Sequence, residues 1–145
     1  MVKLPAARET LDRYRAFMEG LSPAALDRLG EMYADDVHFK DPFSDAQGLR
    51  SLRIVFDKMY ADVPDSKFKV VDTAESGEGG YLKWIYSGTF RGQALSVTGL
   101  TEVALRDGKV SSHIDYYDAA SNFYERIPVL GWIVKLIKKR VGHAD

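Results

Sequence analysis

Asp41 stands immediately before Pro42 in the segment VHFKDPF, and His113 and Asp115 stand two residues apart in SSHIDYYD. An imidazole beside carboxylates is the raw material of acid–base chemistry, since one titrates near neutrality and the others accept protons. In an extended chain alternate side chains share a face, so Ser111, His113, Asp115 and Tyr117 are expected on one side of a strand. If buried there, the histidine and the aspartate need partners. Ser111, His113 and Asp115 also carry the letters of a hydrolase triad. Same-face neighbours lie roughly 6.6 Å apart along a strand, and no GxSxG elbow is present, so a serine hydrolase is not expected. A metal could be drawn to His113 with Asp115, or to Asp35, Asp36 and His38. Neither set has a third ligand at a known spacing, and no metal is expected. The GxGG run at Gly77 to Gly80 opens no helix and reads as a turn, not a dinucleotide loop. Asp41 has a plainer alternative, as the cap of the turn FSDAQG.

Helices and strands must place these groups. Ala7, Leu11, Tyr14, Met18 and Leu21 recur at helical spacing. Ser22-Pro23 restarts the chain as cap and first helical residue, and Leu26, Leu29 and Tyr33 continue a second helix that Ala34-Asp35-Asp36 closes. A third opens near Gly48, carries Leu49, Leu52, Phe56, Met59 and Tyr60 on one side, and stops before Val63-Pro64. Between the last two, Val37, Phe39 and Asp41 alternate with His38 and Lys40 as a short strand ended by Pro42. The second half predicts a meander: Ser66 to Ala74, a loose turn SGEGG, Tyr81 to Phe90, Ala94 to Arg106, and Lys109 to Asp118. Asp107-Gly108 is the strongest hairpin signal. Leu82, Trp84, Tyr86 and Gly88 share a face, as do Val97, Gly99, Thr101 and Val103. Helices followed by strands predict an α+β domain with a strongly curved sheet.

The chain has 145 residues, enough for one domain, and 46% hydrophobic with 28% charged residues supplies both a core and a polar surface. A net charge of −1 argues against a nucleic-acid partner held by phosphate neutralisation. The absence of cysteine excludes disulfides, thiolate metal sites and cysteine nucleophiles. Neither a signal core nor a bilayer-length apolar run is found, and the expected location is the cytoplasm. From about Gly131, Trp132, Ile133, Leu136 and Ile137 oppose Lys135, Lys138, Lys139 and Arg140. This basic amphipathic helix either packs on protein, including a second subunit, or rests weakly on an anionic membrane surface. The pocket-forming part is placed at residues 1–120 and the helical tail at 121–145 of the same domain.

Arg13-Tyr14, MYADDVHFKDP (Met32 to Pro42), Gly48 opening a helix, and aromatic strands ending in GKVSSHIDYYD resemble the nuclear transport factor 2-like superfamily. The pattern is most similar to its ketosteroid isomerase and SnoaL-like polyketide cyclase branch. The resemblance covers roughly Leu4 to Asp118 and implies a cystatin-like cone, a mixed or antiparallel sheet bent around the N-terminal helices over a mostly apolar pocket. It further implies that Asp41 is a proton-shuttling base and that Tyr14 donates to an oxyanion. Thr101 stands where the isomerases hold a protonated aspartic acid; a hydroxyl is a weaker donor, which argues against steroid isomerisation itself. His113 and Asp115 suit dehydration or aldol-type chemistry instead, with His113 as acid/base and Asp115 as its orienter. The resulting reading is a cofactor-independent lyase or isomerase (isomerase, dehydratase or cyclase) acting on a small hydrophobic carbonyl or hydroxyl compound. Its pocket would be shaped by Trp84, Tyr86, Thr101, Tyr117 and Phe56, and the resemblance implies a homodimer. The alternative is a non-catalytic binder of an apolar or lipid-like ligand, in which Tyr14 is core and His113–Asp115 is a structural pair.

Overall fold

A computed structural model describes residues 6–119, so the expected tail helix and the segment 121–145 lie outside the described residues. Helix α1 (Ala7–Glu19) forms where Thr10, Leu11, Tyr14 and Met18 fall on one face and are buried together. It ends at Gly20, whose N–H reaches the Ala16 carbonyl. Ser22 caps the next turn as expected, its hydroxyl accepting from the Ala25 N–H at 3.3 Å.

The second helix is much shorter than its periodicity implied. A single 3-10 stretch (Ala24–Arg28) precedes a four-residue helix α2 (Leu29–Met32), after which the chain straightens into strand β1 (Tyr33–Lys40). Ala34-Asp35-Asp36 therefore lies inside a strand, not at a helix end. The reason is burial: Tyr33, Val37 and Phe39 are buried, and an extended backbone keeps Asp35 and Asp36 exposed. Asp36 then pairs with Arg106. A three-residue strand β2 (Asp45–Gln47), which no local signal announced, follows before helix α3 (Leu49–Asp62).

The remaining strands match the meander: β3 (Lys67–Ser76), β4 (Gly79–Phe90), β5 (Gln93–Arg106) and β6 (Lys109–Tyr117). Asp107 and Gly108 both adopt positive φ, 54° and 76°, as the expected two-residue hairpin requires. The SGEGG turn is tighter than expected, because Gly79 and Gly80 already belong to β4. One curved six-stranded sheet results, ordered β2-β1-β6-β5-β4-β3. It is mixed: β1 runs parallel to β6, and every other pair is antiparallel. Helix α1 packs across β3 and β4, and α3 packs on β1 and β2. The faces read from alternation are the ones buried, with Leu82, Trp84 and Tyr86 on β4 and Val97, Thr101 and Val103 on β5. Among the described residues, no helix is long and apolar enough to cross a membrane.

Candidate active site

The parallel pairing of β1 with β6 sets the site. Phe39 lies opposite His113 and Lys40 opposite Ile114, so Asp41 and Asp115, the next residues on, come level just past the end of β1. There a cleft of about 330 Å³ is lined by Lys40, Asp41, Pro42, Ile114, Asp115, Tyr116 and Tyr117. Two carboxylates that are far apart in sequence thus open on one space.

Asp41 sits just past β1, where Pro42 cannot continue the ladder. Its Oδ1 accepts the backbone N–H groups of Phe43 at 2.7 Å and Ser44 at 2.6 Å, and its own N–H donates to the Ser44 carbonyl at 3.0 Å. The turn-capping reading is therefore structurally real, and it also fixes the carboxylate in the cleft wall. Burial raises the Asp41 carboxyl above its ordinary value of 3.8, and the charge of Asp115 adds to the rise; the backbone donors oppose it only in part.

Asp115 is the cleft-facing end of a chain of polar side chains. Its Oδ1 accepts the Thr101 hydroxyl at 2.6 Å and faces His113 Nε2 at 2.7 Å. Thr101 is placed by register, directly opposite Asp115 in the antiparallel β5–β6 pair. Its hydroxyl in turn accepts the Trp84 indole N–H at 2.7 Å. With the carboxylate as acceptor, Nε2 carries the imidazole hydrogen and Nδ1 takes the hydroxyl proton of Tyr14. Tyr14 then accepts from Tyr33 at 2.7 Å between hydroxyls. Every hydrogen in the run Tyr33, Tyr14, His113 and in the run Trp84, Thr101 is directed toward Asp115.

Aromatic rings hold the histidine in place: Phe39 lies 4.7 Å from it and Tyr14 meets it edge-on at 5.8 Å, centroid to centroid. Burial pushes the hydroxyls of Tyr14 and Tyr33 well above the usual tyrosine range, so both stay protonated donors. Gly99 is required by the other run. A Cβ there would come within 2.3 Å of the Trp84 ring, which lies flat over β5 to reach Thr101.

Most of the expected site residues fall into two groups. Asp41, Asp115 and Tyr117 line the cleft. Tyr14, His113, Thr101 and Trp84 stand behind Asp115, and Tyr14 is 0% exposed with its hydroxyl shared between Tyr33 and His113. Phe56 packs in the core against Tyr33 and Phe39. The Tyr86 hydroxyl bonds Ser66 at 2.6 Å. Ser111 is not beside His113: β6 bulges there, with Val110 opposite Leu105 and Ser112 opposite Ala104. Its hydroxyl bonds the Ala104 carbonyl at 3.1 Å, which corrects the face assigned to it by alternation. Sequence reasoning missed Tyr33, which looked like one more position of a helical stripe, and no local signal marks its role.

The match of residues 14–113 to the SnoaL-like domain model shows the family: the chain belongs to the SnoaL-like domain family. Solved structures agree on the fold, which is that of the nuclear transport factor 2-like proteins. A hypothetical protein of ketosteroid isomerase-like fold from Catenulispora acidiphila DSM 44928, in complex with trimethylamine, is 20% identical with TM-score 0.68, over 80% of this chain and 90% of that one. A putative SnoaL-like polyketide cyclase from Jannaschia sp. CCS1 is 19% identical with TM-score 0.66, over 83% and 93%. An epoxide hydrolase of LEH-like type from M. tuberculosis is 18% identical with TM-score 0.70, over 88% and 96%. No curated protein matches the chain in sequence.

Proposed function

We propose that the chain is a cofactor-independent lyase or isomerase that moves a proton on a small hydrophobic carbonyl or hydroxyl compound bound between Asp41 and Asp115. The observation that carries this is the meeting of two unlike carboxylates in one cleft. Asp41, its carboxyl raised by burial and by its neighbour, is the base and takes the substrate proton. Asp115, fed by two hydrogen-bond donors, fixes the polarity of the site opposite it. His113 acts through Asp115 as a positioning residue, and Tyr14 holds His113 rather than the substrate, a different division of labour from the one the resemblance implied. The named activities of similar folds, cyclase and epoxide hydrolase, are compatible with such a site without selecting among reactions.

Hydrogen–deuterium exchange at the α-carbon of 2-acetylnaphthalene in D2O, followed by NMR, tests the base. Asp41→Asn is expected to lower the protein-catalysed rate by about 10²- to 10⁴-fold; an unchanged rate removes Asp41 from the mechanism.

The second reading, a non-catalytic binder of an apolar ligand, draws on the cap at Asp41, since backbone donors already occupy one carboxylate oxygen. Under it the wild type binds the ketone and leaves its α-hydrogens in place. A homodimer, as the resemblance implies, accompanies either reading, and sedimentation equilibrium measures it.

A further inference from the structure

Asp115 has one oxygen left over. Its Oδ1 takes both donors that reach the carboxylate from behind, the Thr101 hydroxyl and His113 Nε2. Oδ2 has no donor among the described residues, and it stays open to solvent where the side chain, 14% exposed, meets the cleft. The donors behind the site cannot turn round to serve it, since Trp84 is spent on Thr101 and Tyr14 on His113. An ionised carboxylate oxygen accepts and cannot donate, so a group that binds there must bring its own hydrogen. A simple ketone has none to give. Asp41 is held in the same way, with the Phe43 and Ser44 N–H groups both on its Oδ1. The two residues come level on neighbouring strands, which run about 4.8 Å apart. Two groups held by those carboxylates at once fit on adjacent atoms of a ligand.

We propose that the substrate is an α-hydroxy ketone, whose hydroxyl donates to Asp115 Oδ2 while Asp41 takes the hydrogen from the carbon that bears it. This rests on Asp41 being the base, and it adds a substrate class and a direct contact for Asp115. The proton removed by Asp41 leaves its electron pair behind as the C=C bond of an enediolate, whose charge sits on the former carbonyl oxygen. Asp115 takes the hydroxyl proton and gives it to that oxygen. Asp41 then returns its own proton to the carbon beside it. Hydroxyl and carbonyl have changed places, and no oxidant, reductant or other reactant is consumed.

The probes are 1-hydroxy-1-(naphthalen-2-yl)propan-2-one and 1-(naphthalen-2-yl)propan-2-one, which differ only in the hydroxyl. NMR in D2O follows deuterium exchange at the benzylic carbon of each, and the transposed product, 2-hydroxy-1-(naphthalen-2-yl)propan-1-one, from the first. The wild type is expected to form that product. Asp115→Asn keeps an oxygen for Thr101 and His113 and turns an NH2 donor toward the cleft. It also relieves the repulsion on Asp41, which alters both ketones alike, so the ratio between them is the readout. We expect kcat/KM for the hydroxy ketone to fall about ten- to a hundredfold relative to the other, the worth of one hydrogen bond to a charged group. A second measurement needs no variant: the methyl ether of the hydroxy ketone keeps the oxygen, lacks the hydrogen, and should bind the wild type more weakly by a similar factor. Equal losses on the two ketones, equal binding of ether and alcohol, or exchange without the transposed product would each overturn the proposal. Asp41→Asn keeps the two ideas apart. If that variant stops exchange of both ketones while Asp115→Asn treats them alike, the base stands and the hydroxy ketone falls; if Asp41→Asn changes neither, the base itself is lost.

Discussion

Asp41 is where sequence and geometry meet most closely. Its position before Pro42 was legible, and so was the choice between capping a turn and doing chemistry; the structure shows the cap, made by a side chain that also lines the cleft. What the sequence did not contain is the charge that faces it. The repulsion of Asp115 is one cause of its raised pKa, the larger being burial. As a base, Asp41 works only when ionised, so the acid limb of the pH–rate profile should lie above that of an ordinary carboxylate. Asp115→Asn removes the repulsion and is expected to move that limb to lower pH; a limb that stays in place would assign the whole shift to burial. Stability runs the other way. The folded state holds the Asp41 proton more tightly than the unfolded chain does, so stability falls as pH rises from the unfolded value toward the folded one.

Among the elements, strand faces were the most legible feature, because burial on one side imposes a two-residue period on β4 and β5. The period fails where a strand takes an extra residue, as at Ser111, and nothing local in the sequence announces a bulge. The second helix failed for a related reason. Its apolar spacing was satisfied by a tight turn, a short helix and a strand in succession, each burying the same residues. Gly99 shows how one strand position supports the site without joining it. Gly99→Ala would drive a methyl into the Trp84 ring, at 2.3 to 2.8 Å from three of its carbons. We expect a loss of about 1–3 kcal/mol in chemical denaturation, with a changed Trp84 fluorescence as the indole N–H leaves Thr101. A variant with wild-type stability and emission would mean that the ring has room to shift.

At the scale of the whole molecule, the α+β order, the curved sheet and the family were readable from the chain, since helix and strand periods and turn residues are local. The parallel union of β1 with β6 was not, and the site depends on it. That pairing brings Tyr33 of β1 beside the strand of His113, 80 positions on, and Tyr14 reaches the same histidine from α1, across 99 positions. The one-way run of hydrogens that results has a spectroscopic consequence. Turning the imidazole over would require the bonds to Tyr14 and to Asp115 to break together inside a closed aromatic box. His113 should therefore give a single tautomer in ¹⁵N NMR, with one pyrrole-like and one pyridine-like nitrogen instead of averaged shifts. Its ring N–H should remain visible long after transfer to D2O, at a rate set by opening of the fold and not by the ring itself; rapid loss of that signal would show that water reaches the back of the site.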